Sequence, residues 1–340
     1  MTAPGELAAG KPAAGAPASA TTARLRSAVA LAVLVALALA LPWLLRGFGL
    51  DFYLSLASRI LVYGIAATSL NLVLGYGGLV SFGHAAFVGL GAYVCAIMIS
   101  EGVLSGTAHL AATLAVTSLA ALAIGAISLR TRGVYFIMIT LAFAQMLFYL
   151  ANSVKGYGGD EGLNIRARSV FGIGAWALDL KNPLALYYVA LGVLALSLLA
   201  LARFAPSRFG RAVLALRDDD VRAEALGFPT YRYKLILFVA AGALGGVAGA
   251  LSVNLQGYVS PNALHWTQSG TLMVMVILGG VATVWGGLVG AAVLLLLQEA
   301  LASYTEHGEF WTGWVLLAVV LFARRGLVGL VARRHSSSAP

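Results

Sequence analysis

Charge is what this chain has least of. Of its 340 residues only 10% are Asp, Glu, Lys or Arg, whereas 60% are hydrophobic and the mean hydropathy is +0.90. A soluble domain carries about 25% charged residues, so one large soluble core is excluded and the chain reads as an integral membrane protein. Cysteine is nearly missing too. The one thiol, Cys95, sits in an apolar run; it cannot form an internal disulfide and reads as an inert, packed group. No Gly-x-x-x-x-Gly-Lys-Ser/Thr phosphate loop occurs, so the chain does not hold ATP in that manner itself. The histidines His84, His109, His265, His307 and His335 are scattered, with no HExxH or i, i+4 pair, and no metal site is expected. Ser81 and His84 fall within one turn, but such a pair on one helix does not present nucleophile to base with an oxyanion hole. No catalytic residue is assigned, and the chain is not expected to be an enzyme. Ionisable groups inside apolar runs are few: Glu299, His84 and Arg59. A proton- or sodium-coupled carrier would keep more buried acids, so energy for any transport is expected to come from outside this chain.

What is present is apolar length. A spanning helix needs about 20 mostly apolar residues, because its backbone must satisfy its own hydrogen bonds in lipid. Ten segments qualify: 27–45, 52–74, 79–99, 108–128, 133–153, 184–203, 235–255, 270–285, 287–303 and 310–330. The eighth and ninth are short and interrupted by Gly279-Gly280 and Trp285-Gly286-Gly287, so they also read as two re-entrant pieces. The expectation is an all-α, polytopic helical bundle of eight to ten spans. Residues 1–26, rich in Ala, Pro, Gly, Ser and Thr, cannot bury enough surface to fold and form a disordered tail. The apolar run after Arg24 and Arg26 exceeds the roughly 7–15 residues of a signal-peptide core, so it is expected to stay as a first helix.

The net charge of +9 is spread span by span and is not a nucleic-acid signal. With the N-terminus inside, 16 of the 22 Lys and Arg fall on the cytoplasmic side, leaving Arg46, Arg59, Lys155, Arg166, Arg168 and Lys181 outside or near outer ends. That asymmetry follows the positive-inside rule and puts both termini in the cytoplasm. A transmembrane body over 27–332 would then carry a cytoplasmic segment at 203–234 and a short tail at 333–340. The loop from Val154 to Pro183 falls outside, is long for a connection, and is expected to be ordered. Its Gly158-Gly159-Asp160-Glu161-Gly162 is a candidate surface for another protein.

Glycines cluster at Gly75–Gly78, Gly242–Gly249 and Gly279–Gly290. Small residues at three- or four-residue spacing allow close helix approach, and glycine-broken helices also line substrate sites. The shared Gly-Gly-Leu-Val at 77–80 and 286–289 hints at an inverted repeat.

One stretch is charged. Between Arg203 and Lys234 lie seven basic residues and four acids, Asp218, Asp219, Asp220 and Glu224. Asp218 to Asp220 can supply an N-cap and acidic first turn, and Arg222 is spaced to pair with Asp218. Gly227 suits the C′ position and Pro229 stops the helix. The result is a short cytoplasmic helix that needs a partner or its own spans to persist.

At these residues the chain resembles a known family. Glu224-Ala225-Leu226-Gly227 is similar to the Glu-Ala-Ala…Gly loop of ABC-importer permeases, with Leu226 in place of the second alanine. The wider Gly210–Arg217 and Arg222–Gly227 blocks resemble the branched-chain amino acid (LivM-type) permeases. Three more blocks match: Asn71–Phe87, Arg132–Phe136 with Thr140–Met146, and Gly279-Gly280 with Trp285-Gly286 through to His307. The resemblance implies a multi-pass protein of the bacterial cytoplasmic (inner) membrane, in the membrane lipid and without nucleic acid. It implies a second homologous permease subunit, an extracytoplasmic substrate-binding protein and two cytoplasmic ATPase subunits that hold ATP and Mg; this chain has no cofactor. Asp220, Arg222, Glu224, Ala225, Leu226 and Gly227 would form the ATPase-coupling helix, and the Gly158–Gly162 loop would meet the binding protein. Asn71, Ser81, His84 and Gln145 are candidates to line the substrate path, since polar groups inside spans tend to face the bundle interior. Cargo in such a family would be a branched-chain or related amino acid, or else urea, short amides or aromatic acids. An ion-coupled carrier or a membrane scaffold is the reading outside that class.

Overall fold

The computed structural model describes residues 35–47, 51–172, 178–304, 310–314, 317 and 326–327. The expected tails, the start of the first span and most of the 310–330 span lie outside them. Met1–Asp51 and Phe52–Pro340 are separate compact units. In the first, α1 is a short apolar helix, Val35–Gly47.

The second unit is helical throughout its long elements. Helix α2 (Asp51–Asn71) runs into a π-helical turn, Leu72–Tyr76, followed by α3 (His84–Ser100), α4 (Gly106–Ser128) and α5 (Val134–Ser153). Then come α6 (Pro183–Phe204), α7 (Arg208–Asp218), α8 (Asp220–Ala225), α9 (Thr230–Gln256), α10 (Trp266–Gly279) and α11 (Gly286–Ala302). Five of these, over Phe52–Tyr76, α4, α5, α6 and α9, are long and apolar enough to cross a membrane, and α3, α10 and α11 are shorter apolar helices. The chain is a multi-pass helical membrane protein.

Local chemistry sets the ends. Asn182 caps α6 by accepting from Leu184 N, with Pro183 at the first helical position, where its missing N–H costs nothing. Gly257, at φ 74°, closes α9. Where a span was expected over 79–99, α3 begins only at His84. Gly78 adopts φ 66° and Leu79 N turns back to Val73 O, so residues 77–83 enter the bundle without helical structure. The segments expected at 270–285 and 287–303 are α10 and α11, with residues 280–285 as the turn between them. The two Gly-Gly-Leu-Val copies differ in conformation, since 77–80 is non-helical and 286–289 opens α11.

The core sits on α3 and α9. A side chain at Gly91 would overlap the backbone of Gly246, and one at Gly249 would overlap Val88 O. On its other flank α9 meets α4, where Gly242 packs on Ala121 and Gly125 on Phe238. Buried Phe87, Phe136 and Phe238 stack edge to face around this seam. Two short ribbons lie at one end of the bundle: β1 (Leu163–Asn164) pairs with β4 (Tyr258–Val259), and β2 (Val170–Phe171) with β3 (Leu178–Asp179), both antiparallel. Helices α7 and α8 lie at the other end.

Candidate functional site

Two interrupted helices begin side by side inside the bundle. Residues 77–83 lead from the α7–α8 end to His84, the first residue of α3, and residues 257–265 lead from the ribbon end to Trp266, the first of α10. The starts are joined by Ala85 N donating to Ser269 Oγ at 2.9 Å. Buried Ser69 donates its one proton to Ala66 O at 2.7 Å, so His84 Nε2, 2.8 Å from Ser69 Oγ, donates to that hydroxyl. Ser81 is buried and accepts from Gly83 N at 3.3 Å; it does not meet His84. Gln145 on α5 brings its amide 3.3 Å from His265 Nε2, and His265 in turn caps α10 by accepting from Thr267 N. Asn71 is buried, with Nδ2 donating to Thr283 O at 2.7 Å and Oδ1 accepting from Ala282 N at 3.0 Å. Each of these four side chains therefore holds a helix break or the turn beside it.

A cavity of about 170 Å³ lies between α2, α3, α9 and α10. Its floor is apolar, from Ala66, Ala85, Ala92, Ala248 and Leu272; Gln256, Gln268, Ser252, Asn262 and the rings of Tyr63 and Tyr258 make it polar toward the ribbon end. No charged side chain lines it. None of Asn71, Ser81, His84 and Gln145 is in its wall, although Ala85 adjoins His84. Sequence reasoning missed Gln256 and Gln268. The readable signal was two amides flanking a Gly257–Pro261 interruption of an apolar run.

The long loop is ordered over its described residues and tied to this cavity's mouth. Tyr258 OH donates to Glu161 O at 2.7 Å, and Gly162, at φ 77°, lies against Val259. Asp160 and Glu161 are exposed. Deeper in, Ser169 N donates to Asn254 Oδ1 at 2.8 Å and Ser169 Oγ lies 2.7 Å from His109 Nδ1. Cys95 is buried against Ser169 and Asn254.

The opposite end is built from charge. Ser207 caps α7 by accepting from Gly210 N at 3.0 Å. Val213 of α7 is buried in a cluster with Tyr76, Leu201 and Leu237, and Phe209 stacks on Tyr233 at 4.9 Å. Helix α7 is thus anchored on the bundle. The sequence reading had one helix here; there are two, because Asp219 turns to an extended conformation and re-caps the chain by accepting from Arg222 N at 2.9 Å. Arg222 pairs with Asp219 at 3.4 Å, three residues back, rather than with Asp218, which ends α7. At the far end Gly227 adopts φ 84°, with Gly227 N donating to Glu224 O and Phe228 N to Ala223 O. That is the Schellman closure expected of a C′ glycine. Asp220 pairs with Lys234, and Glu224 with Arg132 at 3.4 Å; the second pair is solvent-exposed and contributes little to stability. A second cavity, about 400 Å³, opens here between residues 77–80, the α4–α5 turn and α8.

Comparison with known proteins agrees with this architecture. Residues 52–324 match the family described as branched-chain amino acid transport system, permease component. The chain is 27% identical over 318 residues to the high-affinity branched-chain amino acid transport system permease protein LivM of Salmonella typhimurium, covering 88% of this chain and 74% of that one. It is 28% identical over the same coverage to the LivM protein of Escherichia coli. A shorter likeness, 30% over 122 residues, covers 34% of this chain and 36% of the L-arabinose ABC transporter permease protein AraH of Azospirillum brasilense.

Proposed function

The chain belongs to the branched-chain amino acid transport system permease family, and on that premise we propose that it carries a branched-chain or related amino acid across a bacterial inner membrane under ATP drive. The α7–α8 end faces the cytoplasm, as the distribution of Lys and Arg requires. The observation that carries the reading is α8. It is held as a helix by a cap at each end, stands on the anchored α7, and leaves Val221 68% and Leu226 73% exposed. An exposed apolar pair, one on this short capped helix and one at its end, suits a groove on a separate ATPase subunit, where ATP and Mg are bound. Two such subunits, a second related permease and an extracytoplasmic binding protein complete the assembly. The Gly158–Gly162 loop, joined to the cavity mouth through Tyr258, receives the binding protein.

Cargo enters the uncharged cavity, which suits a small neutral or zwitterionic molecule. Cargo with a net charge would lose its hydration there without a partner of opposite sign, whereas the two charges of a zwitterion offset one another and can hydrogen-bond to the amides and hydroxyls of the wall. Asn71, Ser81, His84 and Gln145 shape this route by holding the helix breaks that frame it. A second reading, a small neutral sugar, is favoured by the partial likeness to an arabinose permease.

The test replaces Val221 and Leu226 with Asp in the assembled transporter. Membrane insertion is expected to be unchanged and ATPase co-purification lost; full association of the doubly substituted chain would remove α8 from the coupling role. Competition between labelled leucine and arabinose for uptake decides between the cargo readings.

A further inference from the structure

The turn between α10 and α11 is tied to the α7–α8 end by a short chain of contacts. Arg217, in the last turn of α7, donates from Nη1 to Gly75 O at 2.5 Å. Its stem lies across Gly78, where a Cβ would come within 2.8 Å of Arg217 Cγ. Gly75 belongs to the π turn that ends the second helix, and a Cβ there would lie 2.6 Å from Ala282 N. One turn earlier, Asn71 grips the same segment from both sides through Ala282 N and Thr283 O. Ala282 itself has φ 61°, the one non-glycine at positive φ among the described residues. A non-glycine residue is strained there, so the turn is held in its shape by contacts from outside it. Thr283 Oγ1 closes it by donating to Gly280 O at 2.7 Å.

Helix α10 runs from this turn to the cavity. Gln268 and Leu272 on its first half line the wall, and Ser269 holds the start of α3. A displacement of α7 would reach α10 through Gly75, Asn71 and the 280–285 turn, without passing through α5 or α6. We propose that Arg217 and Asn71 are positioning residues that transmit motion of the α7–α8 hairpin to α10, and so couple the ATPase side to the cargo cavity. This rests on the transport reading above.

The test uses the assembled transporter in a Cys95→Ala background with a reporter at Gln268→Cys. The rate of labelling by a membrane-impermeant maleimide is compared with and without ATP plus vanadate, beside ATP hydrolysis and subunit association. The rate is expected to depend on nucleotide in the parent and to lose that dependence in Arg217→Ala and in Asn71→Leu, while hydrolysis continues. Arg217→Lys, which can still donate to Gly75 O, is expected to retain it. Should Arg217→Ala fail to assemble, Asn71→Leu, which leaves α7 and α8 untouched, decides. Nucleotide-dependent labelling that persists in Asn71→Leu, or in an assembled Arg217→Ala, overturns the relay. Labelling indifferent to nucleotide in the parent overturns the ATP-coupled reading and the relay with it.

Discussion

Six residues, Asp220–Ala225, are too few to hold a helix in water, where nucleation alone is unfavourable. Helix α8 persists because single residues at its ends take up backbone groups. Asp219→Ala removes the N-cap bond to Arg222 N, a loss of about 1 kcal/mol. ATPase co-purification is expected to fall in that variant and to be restored in Asp219→Asn, which caps equally well. Gly227→Ala places a side chain at φ 84°, where an L-residue is disfavoured by roughly 1–2 kcal/mol. The same association assay should show a comparable loss, with membrane insertion intact. Both caps were legible in the sequence, because Asp, Gly and Pro announce helix ends through their own chemistry. Which of three consecutive aspartates acts was not legible, since that choice depends on where α7 stops.

Among the elements, α3 and α9 depend on having no side chains at their crossing. In Gly249→Val the Cβ alone would overlap Val88 O, and overpacking of this kind costs typically 1–3 kcal/mol. The expected result is a lower unfolding temperature in detergent. Gly192→Ala on α6 meets nothing within 4 Å and should leave that temperature unchanged or raise it slightly, since alanine is the better helix former. The glycine clusters at 242–249 and 279–290 were readable as packing surfaces because their spacing matches a helix face. The break at 257–265 falls between the expected spans 235–255 and 270–285, where Gly257 and Pro261 mark it locally. The non-helical stretch 79–83 was not readable: it is apolar enough to pass as the start of the 79–99 span, and what stops it is tertiary, with Gly78 lying under Arg217. Helix α7 was missed as well. Its Ser207 cap is a local signal, but what anchors it, the burial of Val213 and Leu216 against the bundle, is tertiary.

For the whole molecule, the arrangement places an uncharged cavity toward one end and a charged hairpin at the other, with α10 running between them. The candidate path residues read from sequence, Asn71, Ser81, His84 and Gln145, were found as polar groups in apolar runs. That signal identifies where a helix is held, and the cavity wall itself is supplied by less conspicuous alanines and amides. The central claim is that this chain moves cargo with energy supplied by separate ATPase subunits. The most direct measurement is uptake of labelled leucine into proteoliposomes containing the assembled transporter, binding protein and internal or external ATP on the ATPase side. The account predicts uptake that stops without ATP and survives collapse of the proton and sodium gradients. Uptake by this chain alone, driven by an ion gradient and indifferent to ATP, would contradict it.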